Sequence, residues 1–225
     1  GWLGKENVAP RVILTEGGSM TDIYVYNQLT KDNNGNIKVD QNGNLGITSS
    51  NTPVKVGNLD ADFNLGWTNH FTYKGIDLGV VLSARVGGLA YSATQGILDY
   101  YGVSGTSATA RDNGGIPINN GKVNAQKYYQ TIGTGEGGYG RYYLYSATNV
   151  RLQELSLNYT LPKRWFKNVA NVTLGIVGRN LWMIYCKAPF DPELSASTSS
   201  NYYMNVDYFM QPSLRNFGFN VKVQF

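Results

Sequence analysis

The residues of this sequence that could perform acid–base or nucleophilic chemistry are few and stand apart. His70 is the one histidine among 225 residues, and no serine, cysteine or carboxylate lies at motif spacing from it. A catalytic site needs a nucleophile, a base and a group that orients the base within mutual reach. Asp191 and Glu193 flank a proline, a spacing that is typical of a turn rather than of an acid–base pair. The sequence therefore predicts that the protein is not an enzyme.

Two short motifs have the residue types of a phosphate site or a metal site. Residues 133–138 (GTGEGG) match G-x-G-x-x-G, but no strand leads in and no helix follows, so we interpret them as a loop tip. Residues 32–36 (DNNGN) resemble the start of a calcium loop. The later spacing fails, because Ile37 stands where the loop needs glycine and Gly43 where it needs a bidentate glutamate. We therefore predict no metal and no cofactor.

Residues suited to binding are more frequent, because tyrosine is concentrated between residues 87–146 and again between 186–212. Tyrosine combines a flat apolar face with a hydroxyl group, which suits sugar rings, peptides or a protein partner. The candidates for ligand or partner contact are Tyr100, Tyr101, Tyr128, Tyr129, Tyr202 and Tyr203. The alternative is that these tyrosines pack the loops against one another, and the sequence does not separate the two readings.

Composition narrows the class of protein that could present these tyrosines. Charged residues make up only 15% of the chain, and the net charge of +4 is dispersed without a basic run, so we expect no nucleic-acid surface. A single cysteine, Cys186, forbids an internal disulfide. No stretch approaches the roughly 18 consecutive apolar residues of a membrane helix, whereas the alternating strands of a membrane barrel remain compatible with the composition.

Several stretches place apolar residues at every second position, the period of a strand with two unlike faces. The predicted strands cover residues 62–73, 76–86, 148–160, 171–185 and 213–225, with a shorter element at 20–28 and a short strand at 37–39. His70 falls at a polar position of its strand and is expected to face a lumen. Short helices are predicted at 91–101 and 124–130, with Ser92 and Asn124 as N-caps.

Two local features refine these strands. Lys74 and Gly75 alone separate two alternating runs, which predicts a tight hairpin with glycine at positive φ. Between residues 148 and 160 the alternation changes phase, and a β-bulge near Gln153–Glu154 would absorb the extra residue.

The connections predicted between strands are alternately short and long. Residues 29–61, 87–146 and 186–212 are long, whereas 74–75 and 161–168 are short. Outer-membrane barrels have this asymmetry, with short periplasmic turns and long extracellular loops. Aromatic residues near the strand ends are expected to form interfacial girdles: Tyr159, Trp165, Phe166, Trp182 and Tyr185. Backbone groups in a bilayer must all be paired, so such strands must close into a barrel, and the few predicted here need further strands from elsewhere.

Several motifs resemble one family. Residues 148–162 (TNVRLQELSLNYTLP), 178–182 (GRNLW), 189–193 (PFDPE) and 212–225 (PSLRNFGFNVKVQF) are similar to the C-terminal end of SusC/RagA-type TonB-dependent outer-membrane transporters. Residues 55–88 resemble the preceding hairpin of that family. We therefore expect an all-β fold in which residues 1–225 are one C-terminal segment of a large transmembrane β-barrel with long extracellular loops.

The resemblance implies a function for the longer protein. Such transporters are 22-stranded barrels with an N-terminal plug that import oligosaccharides or peptides across the bacterial outer membrane. TonB supplies the energy through the N-terminal part, and a SusD-like lipoprotein closes over the extracellular mouth. The resemblance also implies that Phe225 is a barrel-assembly signal. The plug, the TonB-contacting segment and the signal peptide are not in this sequence, so the chain by itself is expected to transport nothing.

Two other classes remain as alternatives at this point. One is a soluble, secreted β-sandwich that binds carbohydrate, in which the apolar faces would pack against a second sheet. The other is a passive porin, which would have no plug ahead of these strands.

Overall fold

The computed structural model describes residues 10–133, 138–194 and 205–224. The chain divides into two compact units. The sheet unit consists of Ala61–Gly87, Ala147–Pro192 and Gln211–Phe225. The mixed unit consists of Gly1–Asp60, Gly88–Ser146 and Glu193–Met210.

Strands predominate in the described residues, in agreement with the predicted all-β class. The strands are β1 (Arg11–Val12), β2 (Asp22–Leu29), β3 (Ile47–Asn58), β4 (Phe63–Tyr73), β5 (Ile76–Val86), β6 (Leu89–Ser92), β7 (Ile116–Ile118), β8 (Gly121–Val123), β9 (Leu144–Ser146), β10 (Asn149–Thr160), β11 (Asn171–Cys186), β12 (Val206–Asp207) and β13 (Asn216–Gln224). The helices are α1 (Ala93–Tyr100), α2 (Gly105–Asp112) and α3 (Ala125–Ile132), with 3-10 turns at Gly140–Tyr143 and Lys163–Phe166.

The sheet unit is built on five antiparallel strands in the order β13-β11-β10-β5-β4. Their register aligns apolar residues of all five strands on one face. One row runs through Phe71, Leu78, Leu157, Ile176 and Phe219. The next row runs through Tyr73, Ile76, Tyr159, Leu174 and Val221. These side chains are exposed rather than packed under a second layer, because Phe71, Ile176 and Phe219 keep 52%, 56% and 68% of their surface.

The opposite face of the same sheet carries mainly polar and small residues. One row runs through Thr72, Asp77, Asn158, Gly175 and Asn220, and the next runs through His70, Gly79, Ser156, Val177 and Gly218. Gly79 gives these neighbours room, because a Cβ there would overlap the Ser156 hydroxyl and lie 3.0 Å from His70 Cε1. The sheet therefore separates an apolar surface from a polar one, as the alternation predicts.

Aromatic residues stand at both ends of the apolar face. Tyr159 pairs with Leu174 near one end of the β10–β11 ladder, and Val150 pairs with Tyr185 near the other. Leu174 and Tyr185 are about 36 Å apart along the strand at roughly 3.3 Å per residue. With the strand tilt of about 40° that is usual in barrels, the aromatic ends are separated by about 28 Å, close to the apolar band of an outer-membrane protein.

The predicted hairpin and bulge are both confirmed. Tyr73 pairs directly with Ile76, and φ is 47° at Lys74 and 86° at Gly75, the backbone signature of a type I′ turn. The pairing of β10 with β5 and with β11 shifts between Leu152 and Glu154. Against β5, Gln153 is the extra residue, because Leu152 and Glu154 pair with the consecutive residues Leu82 and Val81.

Substitution of Gly75 by alanine tests this turn. Gly75 has φ of +86°, and a Cβ there would lie 2.9 Å from the Thr160 carbonyl oxygen. We expect Gly75→Ala to lower the free energy of unfolding by roughly 1–3 kcal/mol, because both the backbone conformation and the close approach oppose a side chain. The measurement is urea unfolding of the full-length protein, followed by tryptophan fluorescence. Gly66→Ala on β4 is the control, since nothing lies within 4 Å of a Cβ there; an equal loss at both sites would contradict the prediction.

The mixed unit contains small sheets and the helices. Its sheets have the orders β1-β2-β3, β12-β6-β9 and β7-β8, and β12 pairs with β6 in parallel. Its core consists of Leu45, Tyr91, Ala93, Ala110, Ile118, Val123, Ala125, Tyr129, Ile132, Tyr143 and Val206. None of the helices in the described residues has the length and apolar character needed to span a membrane.

The prediction of one long loop at 29–61 was wrong over about a third of its length. Strand β3 occupies Ile47–Asn58 and pairs with β2. Its sequence, ITSSNTPVKVGN, has few large apolar residues at two-residue spacing, so the pairing with β2 decides its conformation rather than the hydrophobic pattern. Residues 37–39 form isolated bridges at Ile37 and Val39 instead of a strand.

Candidate functional site

Helix α1 positions the first pair of candidate tyrosines. Ser92 begins the helix, and its side-chain oxygen accepts a hydrogen bond from the Gln95 backbone N–H at 3.0 Å, as the predicted N-cap requires. At the other end, Gly102 turns the chain with φ of 71°, and its N–H donates to the Asp99 carbonyl at 2.9 Å. Tyr100 and Tyr101 lie in this last turn with their rings edge to face, 5.2 Å between centroids. Tyr101 is 72% exposed.

Helix α2 brings a cation to the same turn. The Ser104 hydroxyl oxygen accepts a hydrogen bond from the Ser107 N–H at 3.0 Å and begins the helix. Arg111 follows in the last turn, and its Nη1 donates to the Gly102 carbonyl oxygen at 2.6 Å. Neither this helix nor the role of Arg111 was predicted from the sequence, although serine followed by a stretch that can be helical is an N-cap signal.

A buried carboxylate ties the two helices together. Asp99 is 2% exposed, and its Oδ1 accepts hydrogen bonds from Gln95 Nε2 at 2.8 Å, from Thr106 Oγ1 at 2.9 Å and from the Ser104 hydroxyl. Because a buried charge needs such donors, this cluster fixes the start of α2 against the end of α1.

Helix α3 supplies the remaining side of the site. Asn124 begins it, as predicted, with its side-chain oxygen accepting from the Gln126 N–H at 2.9 Å. Gln126 and Gln130 are one helical turn apart and exposed, whereas Tyr129 points into the core and is 4% exposed. Burial raises the pKa of the Tyr129 hydroxyl to about 12, so it stays protonated at neutral pH.

These three helices enclose a cleft of about 430 Å³, within the size range of small-molecule pockets. The α-cleft, as we name it, is lined by Asp99, Tyr100, Tyr101, Gly102, Ser107, Arg111, Ala125, Gln126, Tyr129 and Gln130. The structure thus brings together three of the predicted tyrosines with a guanidinium and two amide groups. This set can stack on a flat ligand and form hydrogen bonds with it.

Other tyrosines of the mixed unit pack against one another. Tyr128 lies edge to face with Tyr129 and with Tyr142, at centroid distances of 5.1 and 6.1 Å. Tyr143 is fully buried, and burial raises the pKa of its hydroxyl above the ordinary value. Tyr128 is therefore part of the packing rather than of the α-cleft lining. The candidate residues Tyr202, Tyr203 and Phe225 lie outside the described residues.

The predicted turns at residues 32–36 and 42–44 have a structural explanation. Asp32 Oδ1 accepts hydrogen bonds from the Asn34 and Asn36 N–H groups at 2.8 and 2.9 Å, and Asp40 Oδ1 accepts from the Asn44 N–H at 2.8 Å. These backbone donors lower the pKa of both carboxyl groups. The two aspartates therefore shape successive turns. The glycine-rich stretch at 133–138 falls outside the described residues at 134–137.

In the sheet unit, three of the quoted motifs meet at one buried ion pair. Arg151 Nη2 lies 2.7 Å from Asp191 Oδ1, and its Nη1 lies 3.2 Å from Asp191 Oδ2. Nη1 also donates to Asn180 Oδ1 at 3.3 Å, and Nε to Asn149 Oδ1 at 3.4 Å. The Arg151 and Asp191 side chains are only 5% and 9% exposed. Strands β10 and β11 and the turn after β11 are thereby joined at a single point.

Comparisons with known proteins place these features in a wider context. No family model matches the chain. The TonB-dependent receptor P3 of Formosa agariphila is 26% identical to it over 201 residues, which are 86% of this chain and 19% of that receptor. The chain therefore spans about a fifth of the length of this curated relative.

Solved structures share the fold. The structure of the RagAB peptide importer in its closed-closed state matches 90% of this chain and 22% of that chain, with a TM-score of 0.55 and 18% identity. A structure of the RagAB peptide transporter gives a TM-score of 0.57 at 16% identity over the same shares. The curated relative and the shared fold thus agree with the resemblance of the motifs, and the chain is similar to a SusC/RagA-like segment of a TonB-dependent receptor.

Proposed function

We propose that this chain forms part of the wall and outer vestibule of an active importer in the bacterial outer membrane. The observation that carries the proposal is the five-stranded sheet of the sheet unit, whose apolar face is exposed across every strand while its other face is polar. Such a face suits lipid, because hydrocarbon replaces water only on the side that carries the apolar side chains. A β-sandwich would instead bury this face against a second sheet.

The proposed barrel extends beyond these strands. β4 and β13 are the two edges of the sheet, and backbone groups at such edges must be paired inside a bilayer. We propose that both edges pair with further strands of the longer protein to close a 22-stranded barrel. The chain's share of its relatives, about a fifth, supports this division of the barrel.

Substrate, energy source and partner follow from the resemblance. The importer would take up oligosaccharides or peptides, would be energised by TonB through its N-terminal part, and would work with a SusD-like surface lipoprotein at the extracellular mouth. The solved relatives named RagAB are a peptide importer, which supports this class of function. No catalytic role is proposed. A passive porin would differ in one measurable respect, because its uptake would persist without TonB.

Paired cysteine substitutions test the orientation of the sheet. Four variants of the full receptor carry Cys186→Ser and one new cysteine each. In two of them the cysteine replaces Leu157 or Phe219 on the apolar face. In the other two it replaces the neighbouring residue on the polar face, Ser156 or Asn220. Each variant is labelled with a fluorescent bimane and placed in vesicles containing brominated lipid. We expect strong quenching at positions 157 and 219 and weak quenching at 156 and 220, since successive residues of a strand face opposite sides.

The neighbouring positions serve as each other's controls, because they share a strand and a depth. Equal quenching of both members of a pair, or quenching of neither, would contradict a lipid-facing apolar surface. Uptake of substrate that does not change when TonB is deleted would contradict active import while leaving the membrane wall intact.

A further inference from the structure

We propose that the α-cleft binds an uncharged sugar unit of the imported molecule. This inference rests on the proposed function and narrows its substrate class to glycans. It assigns to one cleft the binding role that the tyrosine-rich loops suggested only in general.

The aromatic side of the α-cleft suits the face of a sugar ring. Tyr101 is 72% exposed, and its ring is held edge to face by Tyr100 at a centroid distance of 5.2 Å. The edge-to-face contact supports the Tyr101 ring before any ligand arrives, which reduces the entropy lost on binding. The C–H groups on one side of a sugar ring form a small apolar surface that can lie on such a ring.

The polar side of the α-cleft offers planar hydrogen-bonding groups to hydroxyls. The Gln126 and Gln130 side chains are exposed on one face of α3, and each amide carries both donors and an acceptor. Arg111 uses its Nη1 for the Gly102 carbonyl among the described residues, and a guanidinium has further N–H groups in the same plane. Neighbouring hydroxyls of a sugar match this arrangement of paired donors and acceptors.

The charges that line the α-cleft favour a neutral ligand. Asp99 and Arg111 are the two charged residues of its lining, and their formal charges sum to zero. Asp99 already accepts hydrogen bonds from Gln95, Ser104 and Thr106, and it is almost fully buried. The cleft therefore contains no excess charge to select an acidic or a basic ligand.

The same geometry disfavours an extended peptide. Peptides commonly bind by adding a strand to an exposed sheet edge, which supplies their main-chain hydrogen bonds. The lining of the α-cleft comes from α1, α2, α3 and the turns that flank them, with no strand among its residues. Side-chain groups rather than a backbone ladder must hold the ligand, as is usual for a sugar.

The test is calorimetric titration of the purified full receptor with a panel of neutral hexasaccharides derived from starch, cellulose, xylan, laminarin and agarose. A matching panel of decapeptides is titrated in parallel. We expect at least one hexasaccharide to bind, and both Tyr101→Ala and Gln130→Ala to weaken it by about tenfold. Tyr101→Phe is expected to stay within about threefold of the unsubstituted receptor, because the ring is kept.

Phe209→Ala and Gln41→Ala are the matched controls, since both side chains are exposed in the mixed unit and neither lines the α-cleft. All variants are checked for unchanged thermal unfolding. Failure of every hexasaccharide to bind, or oligosaccharide binding that the α-cleft variants do not alter, would overturn the inference. So would decapeptide binding that the α-cleft variants weaken. None of these results would contradict the proposed importer. Evidence against that proposal would be equal quenching on the two faces of the sheet in brominated lipid.

Discussion

Replacement of Asp191 by alanine is expected to produce the largest loss of stability of any single change considered for this chain. The variant would leave the Arg151 guanidinium in a site where only 5% of that side chain is exposed, without its bidentate partner. Removal of one member of a buried ion pair costs about 3–5 kcal/mol, because the remaining charge stays desolvated. The loss is measured as the change in free energy of unfolding by urea, with the full receptor in lipid vesicles.

The exposed pair Arg179–Glu154 on the same strands provides the control. Its side chains are 66% and 30% exposed, and Nε lies 2.8 Å from Oε2. Glu154→Ala is expected to cost no more than about 1 kcal/mol, since water screens the exposed pair. The double variant Arg151→Met with Asp191→Leu should recover part of the stability, because no charge is left buried although Asn149 loses the hydrogen bond from Arg151. A loss for Asp191→Ala no greater than that for Glu154→Ala would show that the buried pair does not hold the turn.

An arginine at Leu155 is expected to have the second-largest effect. Leu155 lies on the apolar face near the middle of the sheet, paired with Val80 on one side and Gly178 on the other. A cationic side chain on the lipid face of a barrel costs about 2–4 kcal/mol at the bilayer midplane. We expect Leu155→Arg to lower the free energy of unfolding by that amount and to reduce the fraction of receptor that inserts into vesicles.

Ser156→Arg is the matched comparison, because the next residue on β10 faces the polar side. There the new guanidinium meets water and the neighbouring polar side chains, and we expect a change below about 1 kcal/mol. If Ser156→Arg proved as damaging as Leu155→Arg, the two faces of the sheet would not differ in environment. That result would favour a water-soluble protein.

The strands of the sheet unit could be predicted from sequence because each satisfies one strong physical condition. Residues 63–73 and 76–86 alternate apolar and polar side chains, and Lys74-Gly75 permits the turn between them. The phase change near Gln153 also predicted its bulge. Helices α1 and α3 followed from their N-caps, Ser92 and Asn124. An element can be predicted from sequence alone where its local residue preferences and its tertiary contacts favour the same structure.

Long-range contacts could not be predicted in this way. The α-cleft depends on Arg111 reaching the Gly102 carbonyl and on Asp99 collecting donors from two helices, and no local pattern signals either contact. Similarly, the ion pair between Arg151 and Asp191 joins residues 40 positions apart. Tyrosine clustering predicted a region rich in possible contacts. Within this region the structure buries some tyrosines and exposes others: Tyr129 lies in the core, whereas Tyr101 is exposed.

The bulge at Gln153 has a consequence for the recognition of membrane strands in genomes. Before the bulge, the apolar residues of β10 are Val150 and Leu152; after it, they are Leu155 and Leu157. All four lie on the same face of the sheet, because the extra residue shifts the alternation by one position. A search that assumes unbroken alternation would split this strand into two pieces, each shorter than the roughly 9–11 residues that cross a bilayer. Both pieces would be discarded, and the topology inferred for all later segments would be inverted. Scans for barrel proteins must therefore permit a single-residue slip within a strand.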